Sequence, residues 1–311
     1  MHVVVVGPGA LGSLLAVQLA PQLKVAGGTL HLLDHNQKRA AELMRSGITL
    51  LKFGRQFTAH PAVTADPAKI SACDILLLCV KSGNVTKALH HAGSLITEKT
   101  LVVGLQNGMA HIETLRQSKG IAVAAVSSTG ATLATPGQVL FGGAGVTLFG
   151  LLSNSRESSR RLKRLVSLFN LAGLEALLVP DIRPRLWEKL FVNVAINPLT
   201  AIHKRKNGQL LTSCSIRNIM KMAVSEAKTV AEANRIHVIG DPLALAFTIC
   251  RRTKNNTSSM LQDVLKKRPT EIDAINGYIV SEGKRLNIDT PVNADLVHQI
   301  RIIERSWQAA A

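Results

Sequence analysis

Aromatic residues are scarce in this chain. Only 3% of its 311 residues are Phe, Trp or Tyr, and there is a single Tyr. A binder of single-stranded nucleic acid stacks bases on aromatic side chains, so few such platforms are on offer. Cysteine is sparse as well. Cys73, Cys79, Cys214 and Cys250 show no C-x-x-C spacing. That argues against a thiolate metal site or a disulfide framework and points to reduced thiols in a cytoplasmic protein. His90-His91 has no ligand-spaced partner and reads as surface, so no metal is expected. Long apolar runs are missing. The longest candidate, Ile75 to Val80, is strand-sized and far short of a membrane span. The first residues carry no positive n-region, because only Met1 and His2 precede Val3 and the first Lys is Lys24. Gly7-Pro8-Gly9 and Gly12 also interrupt the apolar stretch, which speaks against a secretion signal. Acids are outnumbered, 20 against 37 Lys and Arg, for a net charge of +17. The bases are spread along the chain, with short clusters at Lys204-Arg205-Lys206 and Lys266-Lys267-Arg268, and no DNA-binding motif accompanies them. The expectation is a solvated basic surface that draws in small anions, without a specific nucleic-acid partner or a membrane.

Hydrophobic residues make up 46% of the chain, enough for a large core, and the length suits two domains. The opening stretch has a definite grammar. His2 to Val6 is a β-branched run, as a buried parallel strand requires. Gly7-Pro8-Gly9-Ala10-Leu11-Gly12 is a G-x-G-x-x-G, and Ala10 to Ala20 continues with helix formers and apolar spacing at Leu11, Leu14, Leu15 and Leu19. The motif therefore sits between a strand and a helix, the context of a dinucleotide-binding turn. Gly7 permits the tight turn, Gly9 the approach of a pyrophosphate, and Gly12 close helix–strand packing. The helix N-terminus offers free N–H groups to phosphate.

Strand-like runs at Thr29–Leu33, Asp74–Val80, Leu101–Leu105 and Ile121–Val126 alternate with helical stretches. Such alternation predicts an α/β domain with a Rossmann-type, doubly wound parallel sheet. From Thr129 to Gly150, Gly-rich turns between short β-type runs suggest antiparallel hairpins. A helix over about Ser155–Ala172 and a short run at Leu177–Val179 follow. Beyond Asp181 the patterns are helical: Arg185–Ile202, Ser215–Asn234, Pro242–Thr248, Ser258–Leu265, Thr270–Leu286 and Pro291–Ala309. Thr290-Pro291 reads as an N-cap and first helical residue. The expected domains are 1–180, dinucleotide-binding, and 181–311, all-α and substrate-binding. Repeats and low-complexity tails are absent.

Ligands of such sheets bind beyond the carboxyl ends of the strands, where Lys81 and Asn107 stand. In the helical half, Lys189, Asn193 and Asn197 recur every four residues within an apolar segment. They fall on one stripe of one helix, and buried Asn groups need partners. Pro198 removes a helix hydrogen bond and is expected to kink the chain near Val194. A third segment holds Asn256, Ser259 and Gln262-Asp263, followed by Thr270-Glu271-Ile272-Asp273. Thr270 and Asp273 suit a helix-start cap, and the sequence leaves open which way Glu271 faces.

Taken together, Gly7-Pro8-Gly9-Ala10-Leu11-Gly12, Val80-Lys81, Gln106-Asn107-Gly108-Met109, Lys189-Leu190-x-x-Asn193-x-x-x-Asn197-Pro198-Leu199-Thr200, Ser258-Ser259-Met260-Leu261-Gln262-Asp263 and Thr270-Glu271-Ile272-Asp273-x-Ile275-Asn276-Gly277 resemble the ketopantoate reductases (2-dehydropantoate 2-reductases). The resemblance runs in order over almost the whole chain. It implies an oxidoreductase of pantothenate and coenzyme A biosynthesis, passing hydride from NAD(P)H to the C2 carbonyl of 2-dehydropantoate, a small anionic 2-oxo acid. It implies Lys189 as general acid, and Glu271 as the group that keeps substrate and lysine in line. Asn193, Asn197, Asn207, Asn256 and Ser259 match substrate-binding positions. Gly7, Pro8, Gly9, Ala10, Leu11, Gly12, Lys81 and Asn107 match the cofactor side. The site is then expected between the domains, with hinge closure, and the apolar helices of the second domain leave room for a homodimer.

The segment after the second strand departs from the usual pattern. Many members place a basic residue there for the 2′-phosphate of NADPH, whereas this chain reads Leu33-Asp34-His35-Asn36-Gln37-Lys38-Arg39. An acid at Asp34 suits the ribose 2′-OH of NADH, while Lys38 and Arg39 suit NADPH, so both cofactors stay open. Two rival readings are a reductase of another 2-oxo acid and a dinucleotide sensor without catalysis.

Overall fold

Four consecutive valines, Val3 to Val6, fill β1 (His2–Val6) and are buried on both faces of a central parallel strand. The computed structural model describes residues 1–153 and 156–308. After β1 come α1 (Ala10–Val25), β2 (Thr29–Leu33), α2 (Gln37–Ser46), β3 (Ile48–Lys52), β4 (Arg55–Ala59) and β5 (Ala62–Thr64). β6 (Ile75–Leu78), α3 (Val85–His91), β7 (Leu101–Gly104), α4 (Ile112–Arg116) and β8 (Ile121–Ser127) continue the alternation. β9 (Gly130–Thr135), β10 (Gln138–Gly143), β11 (Thr147–Leu151), α5 (Arg156–Leu171) and β12 (Ala176–Leu178) follow.

The main sheet runs β12-β11-β8-β7-β6-β1-β2-β5. All its pairings are parallel except β11 against β8. Strand order reverses at β1, with β2 on one side and β6 on the other, and that reversal opens the crevice in which such sheets bind ligands. Side chains alternate between two cores, as period-two strands require. Val3 and Val5 pack with Leu14 of α1 and Leu165 of α5, while Val4 and Val6 pack with Val85 and Ala88 of α3. Helices thus cover both faces, and the doubly wound α/β expectation holds.

The region from 129 to 151 is less simple than a row of hairpins. β9 and β10 form one, but β10 also pairs parallel with β3, and β11 joins the main sheet. The result is a second sheet, β4-β3-β10-β9. Its β4 residues are exposed except Ala59, so no buried face marks the strand in the sequence.

The chain divides into two compact units: Met1–Gln106 with His111–Ile182, and Asn107–Ala110 with the chain from Arg183 onward. The second unit is helical: α6 (Arg183–His203), α7 (Cys214–Ala233), α8 (Pro242–Arg252), α9 (Ser259–Leu265), α10 (Asn276–Leu286) and α11 (Pro291–Gln308). The sequence pattern predicts one helix over Thr270–Leu286, and the fold corrects it. A 3-10 turn spans Ile272–Ala274, and Ile275 at φ −104°, ψ −91° separates it from α10. The break lets Ile272, Ala274, Ile275 and Asn276 all be buried, a run that no single amphipathic stripe accommodates. Ser155 and Ala309, expected helix ends, lie outside the described residues. The four cysteines are free, and burial pushes the Cys73 and Cys79 thiols up to about 12. Among the described residues no helix is long and apolar enough to cross a membrane.

Candidate active site

In the first unit, Gly7 takes φ +97°, and its N–H donates to the Leu33 carbonyl at 2.9 Å. A side chain on Gly12 would run into the Gly7 carbonyl, so that glycine brings α1 close to the turn. Gly9 is different. It is the N-cap of α1 in an ordinary extended conformation, and a Cβ there would find nothing nearer than the Cys79 carbonyl oxygen at 3.8 Å. The protein's own packing therefore does not demand glycine at position 9. A bare backbone beside the free N–H groups of a helix start fits the approach of a diphosphate. Pro8, Ala10 and Leu11 complete the turn. Beside it lies a cavity of about 290 Å³ lined by Gly7, His35, Asn84, Lys87 and His91. The Nε2 of His91 is buried there without a hydrogen-bond partner among the described residues. The sequence alone places His91 on the surface with His90. Its helical spacing from buried Ala88, three residues back on α3, is the signal that points inward.

Asp34 directly follows β2 but is not presented to solvent. Its side chain is 0% exposed and both oxygens are taken by Arg39, Nε to Oδ2 and Nη2 to Oδ1, each at 2.6 Å. Asn36 caps α2 by accepting the Arg39 N–H at 2.9 Å, which sets the arginine one turn into the helix and lets its side chain reach back. The Asp34 hydrogen bond, the largest contribution, holds the Arg39 guanidinium above its ordinary pKa. Lys38 is exposed beside the pair. Lys81 follows β6 as the N-cap of a 3-10 turn at Ser82–Asn84 and keeps partial exposure.

In the second unit, Lys189, Asn193 and Asn197 all lie on α6, as their spacing predicts. Burial pushes the Lys189 ammonium down to about 8, with the Glu271 carboxylate acting in the opposite direction. Glu271 precedes the 3-10 turn and is half-buried. Asn107 joins this group rather than the sheet unit. Its Nδ2 donates to Glu271 Oε2 at 3.0 Å, and the Met109 N–H donates to the Ala274 carbonyl at 3.1 Å. Gly108, at φ +77°, lies so close to Ala274 that a Cβ would strike its carbonyl oxygen. Gln106, to which the sequence pattern assigns no role of its own, anchors the start of this turn by donating to the Leu78 and Val80 carbonyls at 2.7 and 3.0 Å.

The asparagines divide into two kinds. Asn193 has a buried Nδ2 with no acceptor, and Asn207 a buried Oδ1 with no donor, among the described residues. Buried polar atoms left open in this way are suited to a ligand. Asn207 is otherwise fixed, its Nδ2 donating to Thr253 Oγ1 at 2.9 Å. Asn197 is buried on the same helix as Asn193. Asn256 is exposed, and its backbone carbonyl accepts the Asn207 N–H at 3.1 Å. Ser258 is the N-cap of α9 and also meets Thr200 Oγ1 at 2.6 Å. Ser259 next to it stays exposed.

The family model for ketopantoate reductase PanE/ApbA matches residues 3–154, and the model for its C-terminal part matches residues 181–304. A 2-dehydropantoate 2-reductase of Vibrio cholerae is 34% identical over 100% of this chain and 100% of that protein. One of Pyrococcus horikoshii is 32% identical over 94% of each. A crystal structure of a PanE/ApbA family ketopantoate reductase from Ralstonia eutropha superposes with a TM-score of 0.88 at 29% identity, covering 99% of this chain and 100% of that one. A D-mandelate dehydrogenase with NADH and anilino(oxo)acetate shares the fold at a TM-score of 0.88 and 24% identity, covering 98% of this chain and 99% of that one. The chain belongs to the PanE/ApbA ketopantoate reductase family of dinucleotide-dependent oxidoreductases.

Proposed function

We propose that the protein reduces the C2 carbonyl of 2-dehydropantoate to the alcohol of pantoate, with Lys189 as the general acid. The observation that carries this assignment is the place of Lys189 on α6, one turn before the open Nδ2 of Asn193, with the Glu271 carboxylate that Asn107 holds at 3.0 Å acting on it. A bound reduced nicotinamide supplies the hydride. Gly7, Gly9 and Gly12 with the start of α1 would hold its diphosphate, and the cavity at His35, Lys87 and His91 suits its adenosine end. Negative charge grows on the carbonyl oxygen as hydride adds to carbon. Lys189 stabilises that charge by hydrogen bonding and then delivers its proton, leaving a neutral amine that solvent reprotonates. A pKa near 8 suits this task, because an acid close to the working pH gives up its proton readily and recovers it readily. Glu271 opposes the burial effect and keeps the amine protonated. Asn107 holds Glu271 in place. The open Nδ2 of Asn193 and Oδ1 of Asn207 offer a donor and an acceptor to the polar substrate. Asn197, Asn256 and Ser259 complete the substrate side, and Lys81 lies on the cofactor side.

NADPH is the preferred cofactor in this reading and NADH the weaker one. A lone acid at the end of the second strand accepts the ribose 2′-OH and repels a 2′-phosphate. Asp34 is instead buried and neutralised by Arg39, with exposed Lys38 adjoining, so the repulsion is removed. Initial rates with 2-dehydropantoate and each dinucleotide test both assignments. Turnover of several unrelated 2-oxo acids at equal kcat/KM would refute the substrate, and dinucleotide binding without any turnover would turn the reading to a sensor.

A further inference from the structure

Pro198 lies inside α6 and has no N–H, so the carbonyl of Val194, four residues back, loses its helical donor. Val194 is buried, and an unpaired carbonyl there is costly. The missing donor comes from α10. Asn276 Nδ2 donates to the Val194 carbonyl at 3.2 Å and, with its second hydrogen, to Asn293 Oδ1 at 2.9 Å. Asn293 Nδ2 donates in turn to the Ala223 carbonyl at 3.0 Å and to Glu226 Oε2 at 2.7 Å. Glu226 also accepts the Val292 and Asn293 backbone N–H groups at 2.9 and 3.0 Å, which are open donors in the first turn of α11. Asn276 and Asn293 are each 0% exposed. Both hydrogens of the Asn276 amide are engaged with acceptors, so neither Asp nor an apolar side chain reproduces the arrangement.

The place of this bond in the site gives it a second meaning. Val194 follows Asn193 directly and lies between Lys189 and Asn197 on α6. Asn276 ends the segment that begins at Glu271, whose carbonyl accepts the Ala274 and Ile275 N–H groups at 3.0 and 3.1 Å. One buried hydrogen bond thus joins the helix bearing Lys189 to the segment bearing Glu271. We infer that Asn276 is a positioning residue for the reductase: by supplying the donor that Pro198 removes, it fixes the turn of α6 carrying Asn193 and Asn197 against the segment carrying Glu271. This rests on the assignment of Lys189, Asn193 and Asn197 to the substrate.

The test is a double-variant cycle of N276L and P198A, read in kcat, KM for 2-dehydropantoate, the alkaline limb of the pH profile and dinucleotide Kd. An alanine at position 198 carries an N–H within helical reach of the Val194 carbonyl, so it takes over the bond to Val194 and leaves Asn276 only its bond to Asn293. N276L alone is expected to lower kcat/KM by about 30-fold, because the Val194 carbonyl and Asn293 Oδ1 both lose their donor and the turn of α6 loses its tie to the Glu271 segment. Its KM rises and its alkaline limb moves, while dinucleotide Kd is unchanged. In the P198A background the same change is expected to cost less than about fivefold, the shortfall measuring the coupling. An equal cost in both backgrounds overturns the inference, as does N276L with wild-type kcat and KM. Should N276L fail to fold, the same cycle is run with N276A and read in Tm: a smaller loss in the P198A background supports the bond to Val194, and an equal loss in both backgrounds overturns it. K189A separates the two levels. Wild-type rates in K189A would remove the site assignment itself, whereas a slow K189A with equal Asn276 costs removes the clamp alone.

Discussion

Asn107 Nδ2 donates to Glu271 Oε2 at 3.0 Å, joining residues 164 positions apart in the chain. The bond gives the Gln106-Asn107-Gly108-Met109 turn a role that differs from simple contact with a cofactor: it holds the carboxylate that acts on Lys189. N107A is expected to lower kcat/KM by about tenfold to a hundredfold, the range for a hydrogen bond to a charged group. Dinucleotide Kd should change far less. Steady-state kinetics alongside a dinucleotide titration checks this, and a loss confined to dinucleotide binding would contradict it.

The pH dependence follows from Lys189. Its pKa is lowered to about 8, and the acting form is the ammonium, so kcat is expected to fall as pH rises through about 8. Glu271 raises that pKa, so E271Q should move the alkaline limb to lower pH as well as slowing turnover. A limb shifting to higher pH in E271Q would contradict the assignment.

Gly108 is intolerant of a side chain. At φ +77° an alanine is strained, and its Cβ would strike the Ala274 carbonyl oxygen. G108A should destabilise the protein by about 1–3 kcal/mol and displace both Asn107 and the 3-10 turn behind Glu271. Thermal unfolding with kcat/KM measures both effects.

The Asp34–Arg39 pair predicts a switch of cofactor. R39A leaves Asp34 as an unneutralised acid, so the NADPH-to-NADH ratio of kcat/KM should fall at least about tenfold, as expected when a fixed charge partner is lost. D34N removes the acid and should leave NADPH favoured. An unchanged ratio in R39A would show that neither residue governs the ribose end.

Much of this is legible in the sequence because it depends on short-range pattern. The valine run of β1, the glycine turn and the four-residue spacing of Lys189, Asn193 and Asn197 each report a local period, and each stands in the expected element. What escapes depends on partners remote in sequence. The β3–β10 pairing has no local signature, and the largely exposed β4 lacks one too. Asp34 reads as a free acid because the reach of Arg39 back across the α2 N-cap is a tertiary fact. The helix expected from Thr270 breaks at Ile275 because buried residues there outnumber what one stripe can carry.

The most direct test of Lys189 as general acid is single-turnover reduction of 2-dehydropantoate by the wild type and by K189A, each saturated with NADPH. The hydride-transfer rate in K189A is expected to fall by about a hundredfold to ten-thousandfold with dinucleotide Kd preserved, the range for loss of a general acid. A K189A rate within a few-fold of the wild type would contradict the account.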